Sequence, residues 1–183
     1  MAAIISMLRG VNVGGHNMIK MEALRALYAS LGLRDPQTYI QSGNVVFWTQ
    51  ERNLAQLGRR IEDAIEKKFG FRPEVVVRTS AELKDVIARN PFAKRREIHP
   101  SKLLINFLTE APNLAVQEGI LGLEPGPDEV RIDGREIYIY FPDGMGHSKM
   151  WRAIGKALKN SGTGRNLNTV QKLLEMAEKL NAS

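Results

Sequence analysis

Residues 1–49 read MAAIISMLRGVNVGGHNMIKMEALRALYASLGLRDPQTYIQSGNVVFWT, and their pattern of apolar runs and turns decides the fold. An apolar run at residues 3–8 has the length of a strand, and a glycine-rich loop follows it. Over residues 20–31 the apolar residues recur at three- and four-residue spacing, which predicts an amphipathic helix with a glycine at its C-cap. Two β-rich runs at residues 38–41 and 44–49 flank a Ser-Gly turn and predict a hairpin.

The next segment completes a first folding unit. Apolar residues between Leu54 and Phe69 mark a second helix with charged residues on its outer side, and the valine-rich residues 74–78 predict a strand. The order βαββαβ is that of a ferredoxin-like unit. In this topology the first two strands run parallel and the third lies antiparallel between them. We therefore assign residues 1–78 to a first ferredoxin-like unit.

Residues 79–101 are interpreted as a connector helix followed by a basic linker. Thr79 and Glu82 have the spacing of a capping box, and an Asn-Pro pair ends the helix that they begin. Three apolar side chains are expected to pack this helix onto the folded units: Leu83, Val86 and Ile87.

Residues 102–183 repeat the same element order. A strand at 103–108 and a helix at 114–121 precede a hairpin, whose strands at 130–132 and 137–141 are joined across an Asp-Gly turn.

A further glycine loop at residues 144–149 then leads into a helix, and a last helix, with Asn168 as its expected N-cap, stands where a fourth strand would be. No residue-level identity between the halves is evident. The sequence thus predicts an α+β fold of two ferredoxin-like units, with antiparallel sheets covered by helices and an extra C-terminal helix.

Composition excludes several classes of protein. The 183-residue chain is 43% hydrophobic and 25% charged, and no apolar run approaches the roughly 20 residues of a membrane span. No signal-peptide pattern precedes the first strand, so we expect a cytoplasmic protein that does not act at a membrane. The absence of cysteine excludes disulfides, thiolate catalysis and zinc-thiolate sites. We expect no metal, because none of the three histidines, His16, His99 and His147, has a second ligand at suitable spacing.

Charge points to anionic partners. The net charge is +6, and the segment from Arg89 to Lys102 carries five basic residues against a single acid, Glu97. A solvated linker and a nucleic-acid-binding patch are both open as explanations of this segment.

The stretch Arg9-Gly-Val-Asn-Val-Gly-Gly15, here called the first glycine loop, is the predicted working edge of the protein. Its glycines allow close approach of the backbone to a ligand, and the helix start that follows favours an anion. Sheet topology would bring this loop beside the turn at residues 42–44. The loop is not a phosphate-binding P-loop, because His16-Asn17 replace the required Lys and Ser or Thr. Residues 144–149, the second glycine loop, lack a dinucleotide fingerprint, so no cofactor is expected.

Polar residues of these loops and turns form the candidate site. The ligand-binding candidates are Arg9, Asn12, Gly14, Gly15, Lys20, Ser42, Asn44, Ser148, Lys149, Arg165 and Asn166. His16 and His147 are candidate acid-base groups, although a histidine in such a loop is more commonly a surface residue. Structural roles as turn residues, or as a buried ion pair for Arg9, stay open. No recognisable nucleophile is present, and the sequence favours neither an enzyme nor a protein that only binds its ligand.

The segments LRGVNVGGHNMIKM, TYIQSGNVVF, GHSK and TGRNLNTVQKLLEM resemble those of the domain-of-unknown-function family 1697, over essentially the whole chain. The resemblance implies an uncharacterised bacterial cytoplasmic protein built of two ferredoxin-like units, with no assigned activity. It also groups the polar residues of the glycine loops with Thr163, Arg165, Asn166, Asn168 and Thr169. Leu167 departs from the family pattern, in which an aromatic residue is usual, and this puts a stacking role there in doubt.

Three functions are compatible with the sequence. The first is binding of a small phosphate- or carboxylate-bearing ligand at the glycine-rich loops. The second is a nucleic-acid-binding module, because the RRM-like element order can expose a sheet face, although no aromatic RNA-binding signature is present. The third is a non-catalytic interaction protein. The sequence does not specify the oligomeric state.

Overall fold

The computed structural model describes residues 2–124 and 126–183, and it confirms the predicted fold class. The chain divides into two compact units, one comprising the chain up to Asp85 together with Gln171–Ser183, the other Val86–Val170. The first half contains β1 (Ala2–Leu8), α1 (Met21–Ser30), β2 (Arg34–Tyr39), β3 (Asn44–Thr49), α2 (Leu54–Phe69), β4 (Val75–Thr79) and α3 (Ser80–Ala88). The second half contains β5 (Leu103–Phe107), α4 (Leu114–Leu121), β6 (Glu129–Asp133), β7 (Glu136–Tyr140), α5 (Lys149–Ala157), β8 (Thr163–Asn166) and α6 (Leu167–Asn181).

The first sheet has the strand order β2-β3-β1-β4, with every neighbouring pair antiparallel. The third strand lies between the first two, as the topology of the sequence predicts. Side chains alternate across the sheet, so Ile4 and Leu8 of β1 face α1 and α2, together with Val45 and Phe47 of β3.

Between Ile4 and Leu8 lies Ser6, a buried polar residue whose hydroxyl hydrogen-bonds the Tyr28 hydroxyl of α1 at 2.8 Å. The Tyr28 ring also meets Phe47 edge-on, with 5.3 Å between ring centroids. Burial raises the pKa of Tyr28 above its ordinary value, so the phenol stays a neutral hydrogen-bonding group.

The second sheet repeats this architecture with the order β6-β7-β5-β8. Leu104, Ile137 and Ile139 face α4 and α5 and contact Met150 and Ile154 in the core of this unit. The helix α4 has the bounds that the sequence predicts. Both cores therefore follow from the same alternation of apolar residues along the strands.

The expectation that the second half lacks its fourth strand is wrong. Residues Thr163–Asn166 form β8, which pairs antiparallel with β5. The short segment Thr-Gly-Arg-Asn contains no apolar residue, so hydrophobic alternation does not reveal it. The cap of α6 is also corrected: the side-chain oxygen of Asn166, not of Asn168, accepts the backbone N–H of Thr169 at 3.0 Å.

The edge strand β2 begins earlier than residues 38–41, the range that the sequence indicates. It covers Arg34–Tyr39, and a four-residue turn at 40–43 follows. A register shift interrupts its pairing with β3, and Asp35 has a φ of 49°. An edge strand accommodates such a bulge and the neighbouring Pro36 because one of its sides is not paired.

The two halves also correspond at the end of their last strands, which the sequence alone does not reveal. Arg78 of β4 pairs with Ile5, and Arg165 of β8 pairs with Ile105. Both arginines are buried, and each donates from Nη1 to the carbonyl of the preceding residue, at 3.0 Å and 2.9 Å respectively.

The residue after each arginine caps a helix that starts at once. Thr79 accepts from the N–H of Glu82 at 3.0 Å, within the predicted capping box, just as Asn166 accepts from Thr169. The helix α3 is therefore the counterpart of α6, and each repeat ends in a helix. Within the described residues, no helix has the length and apolar character needed to cross a membrane.

Replacing Asn166 by Ala is expected to lower the free energy of unfolding by about 0.5–2 kcal/mol, because the first turn of α6 loses its cap. Urea denaturation followed by circular dichroism measures the change. The matched control is Asn168→Ala, since Asn168 is exposed and lies inside the helix. A larger loss for Asn168→Ala than for Asn166→Ala would contradict the assignment of the cap.

Candidate functional site

The first glycine loop has the backbone conformation that its composition predicts. Gly10, Gly14 and Gly15 have φ values of 67°, 58° and 77°, all in the left-handed region. Glycine adopts this conformation without strain, which accounts for its presence at all three positions. His16 and Lys20, which follow in the same connection between β1 and α1, are exposed.

Asn12 organises this connection. Its side-chain Nδ2 donates to the carbonyls of Ile19 and Gln41, at 3.0 Å and 2.7 Å, and its Oδ1 accepts the N–H of Ile19 at 2.8 Å. Its backbone N–H donates to the carbonyl of Asn17 at 3.1 Å. Asn12 itself is left-handed, with a φ of 55°, a conformation that asparagine tolerates better than most residues. The polar atoms of Asn12 thus hold the loop in shape.

The turn between β2 and β3 lies beside this loop, as predicted. The N–H of Leu8 donates to the carbonyl of Gly43, and the N–H of Arg9 donates to the carbonyl of Glu74, both at 3.0 Å. Gly43 is required here, because a Cβ atom would lie 2.9 Å from the Cβ of Leu8. Arg9 is half-buried at this junction of three strands.

The polar side chains of the turn are engaged with one another. Asn44, which is fully buried, donates from Nδ2 to the hydroxyl of Ser42 at 2.9 Å and to the carbonyl of Tyr39 at 3.2 Å. These hydrogen bonds close the hairpin, so Ser42 and Asn44 have a structural role in addition to any contact with a ligand.

The second glycine loop borders a cavity of about 410 Å³ in the second unit. The cavity is lined by Glu124, Gly126, Pro127, Asp128, Asp143, Gly144, His147, Ser148, Lys149 and Met150. Gly144 has a φ of 86°, and a single 3₁₀ turn, Met145–His147, leads from it to the start of α5. Three of the predicted residues, His147, Ser148 and Lys149, are therefore brought together at one cavity.

Ser148 is fixed by two hydrogen bonds. Its hydroxyl oxygen accepts the backbone N–H of Trp151 at 2.9 Å, as the N-cap of α5, and its hydroxyl group donates to Oδ2 of Asp128 at 2.6 Å. Both Ser148 and Asp128 are buried. This pair joins the start of α5 to the segment that enters β6.

The cavity carries charges of both signs. His147 and Lys149, on either side of Ser148 in the chain, are exposed, and Glu124, Asp128 and Asp143 supply carboxylates. In the described part of the chain these acids do not form a group of three ligands able to hold a metal ion.

Sequence reasoning missed the acidic residues of the cavity. The topology offers a signal for them, since β6 begins where β7 ends: Glu129 pairs with Tyr140. The segment before β6 must therefore lie beside the segment after β7.

Because β7 and β8 both run antiparallel to β5, they end on the same side of the second sheet. Arg165 and Asn166, at the end of β8, therefore lie on the same side as the second glycine loop, which follows β7. Arg165 is nevertheless not among the described residues that line the cavity. Its Nη1 donates to the hydroxyl of Thr163 and to the carbonyl of Gly164, both at 2.9 Å. Burial lowers the pKa of Arg165 to about 10.

The basic segment between Arg89 and Lys102 is folded onto the second sheet. Arg89 forms an ion pair with Asp133 and lies 3.5 Å from a carboxylate oxygen of Glu136. Arg95 binds Glu97 and Glu129, each at 2.7 Å, and the ammonium of Lys102 donates to the carbonyl of Pro142 at 2.6 Å. Arg89, Arg95 and Lys102 are thus bonded to other residues of the second unit, whereas Lys94 and Arg96 are exposed.

Aromatic residues of the second sheet are covered in the same region. Tyr138 is fully buried and donates its hydroxyl to the carbonyl of Val86 at 2.7 Å. The guanidinium of Arg95 lies 5.4 Å from the ring centroid of Tyr140. The sheet face that an RRM-like module would offer to stacked bases is occupied here by the protein's own side chains.

A second cavity of about 410 Å³ lies at the opposite edge of the second sheet. Its lining includes Leu108, which follows β5, Val116 of α4, and Leu158 at the end of α5. It contains none of the residues that the sequence singles out.

Comparison with known proteins gives a family and a fold. The sequence model of a family described as "Protein of unknown function (DUF1697)" matches residues 1–138. A search of curated proteins finds no match. The solved structure of the conserved bacterial protein SP0830 from Streptococcus pneumoniae is similar, with a TM-score of 0.74 and 22% identity, over 96% of this chain and 98% of that chain. At this identity the similarity shows a shared fold only.

Replacing Asn12 by Ala is expected to lower the free energy of unfolding by about 2–3 kcal/mol, because the change removes three side-chain hydrogen bonds and places alanine in a left-handed conformation. Chemical denaturation measures the loss. Asn12→Gly separates the two causes, since glycine relieves the backbone strain but not the lost hydrogen bonds. A loss below about 0.5 kcal/mol for Asn12→Ala would show that the hydrogen bonds of Asn12 contribute little to stability.

Proposed function

Because the chain belongs to the DUF1697 family, whose description assigns no activity, we propose from the geometry of its site that it binds a small phosphate- or carboxylate-bearing ligand. The proposed binding site is the cavity beside the second glycine loop. The observation that carries the proposal is the meeting of a helix start, Lys149 and His147 at one cavity of ligand size.

The start of α5 supplies backbone donors for an anionic group. The first N–H groups of a helix have no acceptor within the helix, and the helix dipole adds a partial positive charge at that end. The hydroxyl oxygen of Ser148 accepts the N–H of Trp151. The amides of Lys149 and Met150 are therefore available to a ligand. The ammonium of Lys149 would add a charge-assisted hydrogen bond to the same group.

The acids of the cavity narrow the ligand class. Glu124 and Asp143 would repel a ligand that carries only negative charge. They suit a ligand with a cationic group besides its phosphate or carboxylate, such as an aminophosphate or an amino acid. The volume of about 410 Å³ accommodates molecules of this size.

Binding is proposed without a reaction. The hydroxyl of Ser148 is engaged with Trp151 and Asp128, so it is not placed as a nucleophile. Lys149 is proposed as the principal ligand contact and His147 as a second one. No cofactor is proposed.

The nucleic-acid alternative has less support. The ion pairs of Arg89 and Arg95 engage two of the five basic residues of the segment that suggested it. The burial of Tyr138 removes a stacking surface that this function would need.

Lys149→Ala is expected to weaken binding of phosphoethanolamine about 10- to 100-fold, since one charge-assisted hydrogen bond contributes roughly 1.5–3 kcal/mol. Isothermal titration calorimetry measures the affinity, and inorganic phosphate and acetate serve as simpler probes. The matched control is Lys156→Ala, because Lys156 is an exposed lysine of the same helix that lies away from the cavity.

The proposal fails if none of the three probes binds the native protein, or if both lysine variants lose affinity equally. Binding of RNA or DNA oligonucleotides in the absence of any response to the probes would favour the nucleic-acid function instead, and its steep dependence on salt would identify it.

A further inference from the structure

We propose that the edge of the first unit around the first glycine loop is a docking surface for an acidic protein segment that also carries aliphatic side chains. This surface, here called the rim, consists of Val13, Met18 and Ile40 with the basic residues His16 and Lys20. It is independent of the ligand site proposed in the second unit.

The rim collects the exposed apolar side chains of its unit. Val13, Met18 and Ile40 are 63%, 64% and 50% exposed. Among the described residues of the first unit, these are the large hydrophobic side chains that are exposed, and the others of that kind lie in the second unit. Scattered apolar residues on a surface need no explanation, whereas a local group of them marks an interaction site.

Hydrogen bonds of Asn12 bring together the backbone segments that carry the three apolar residues. Val13 follows Asn12 directly, and Met18 lies between Asn17 and Ile19, whose backbone atoms both bond to Asn12. Ile40 is next to Gln41, whose carbonyl accepts from Nδ2 of Asn12 at 2.7 Å. A preorganised surface loses little conformational entropy when a partner binds.

Ile40 is held in an unfavourable conformation. Its φ of 51° lies in the left-handed region, where a β-branched residue is strained. Asparagine or glycine would adopt this conformation with less strain. An isoleucine whose side chain is half exposed gains little from burial, so packing within the unit does not account for its presence. Contact with a partner accounts for an isoleucine at this position.

The charge of the rim indicates that its partner is acidic. The connection from Arg9 to Lys20 contains no acidic residue, and neither does the segment at 38–43. His16 and Lys20 are exposed beside the apolar residues. A partner with carboxylates complements this surface, whereas a second copy of the chain would bring like charges together.

A protein segment fits better than a lipid surface. Membrane-binding surfaces commonly place tryptophan or tyrosine at the interface. The connection from Arg9 to Lys20 contains neither, and in the segment at 38–43 the one such residue, Tyr39, is half-buried. Methionine, by contrast, is enriched in protein interfaces because its flexible thioether adapts to different partners.

Phage display of random dodecapeptides on the immobilised full chain tests the proposal. The peptides enriched are expected to combine Asp or Glu with Leu, Ile or Val. Their synthetic versions, measured by fluorescence anisotropy, should bind at least 10-fold more weakly to Met18→Ser and to Lys20→Glu. Leu114→Gln is the matched control, because Leu114 is an equally exposed apolar residue of the second unit.

Ile40→Asn provides a second readout that a merely structural role would not give. Relief of the left-handed strain is expected to raise Tm by roughly 2–4 °C, while peptide affinity falls. A lower Tm together with unchanged affinity would overturn the role assigned to Ile40.

Three outcomes would overturn the proposal as a whole. Enrichment of basic or uncharged peptides would contradict an acidic partner. So would a screen in which no enriched peptide is sensitive to the rim variants. Binding to phosphatidylserine vesicles that Met18→Ser abolishes would assign the rim to a lipid surface. A dimer in sedimentation that the same variant dissociates would assign it to a second copy of the chain.

Discussion

The pairing of the last strand of each unit with the first is the constraint on which the structure depends. β4 pairs with β1, and β8 pairs with β5. These contacts join segments far apart in the chain, so the entropy of closing the intervening chain must be offset by the core that they complete. The pairing also places β1 and β5 inside their sheets. The connection that follows β1 therefore lies beside the starts of β3 and β4, and the connection that follows β7 lies beside the start of β5. The two candidate surfaces lie at these strand ends.

Local signals were sufficient wherever one segment determines its own structure. The sequence predicts the bounds of α2 and α4 to the residue. In α2 the apolar residues form a regular stripe, and in the structure an asparagine side chain caps the start of each helix, Asn53 and Asn113. β8 could not be predicted in this way. Its four residues have no apolar alternation, and their strand conformation depends on pairing with β5, which is specified by distant residues. The residue-level correspondence of Arg78 and Arg165 is visible only after β8 is known.

For the first glycine loop, the sequence indicates which turn lies beside it but not what its polar atoms do. The neighbouring positions of the first glycine loop and the turn at 42–44 follow from topology, and the structure agrees. That Asn12 and Asn44 direct their side chains to backbone carbonyls does not follow, since a motif does not distinguish an amide that closes a loop from one offered to a ligand. Asp128 was missed because a single acid before a strand is not distinctive in sequence, and only the pairing of β6 with β7 places it near its partner, Ser148.

The two repeats share a scaffold and differ in the loops that they elaborate. In the first unit the long, glycine-rich connection follows the first strand, and its hydrogen bonds turn inward, leaving an apolar and basic rim. In the second unit the elaborated connection follows the third strand, β7, and borders a cavity with charges of both signs. Because the first and third strands are antiparallel, these connections leave opposite edges of their respective sheets. A duplicated fold can therefore specialise twice without disturbing either core, since each loop lies outside the strand pairing that closes its unit.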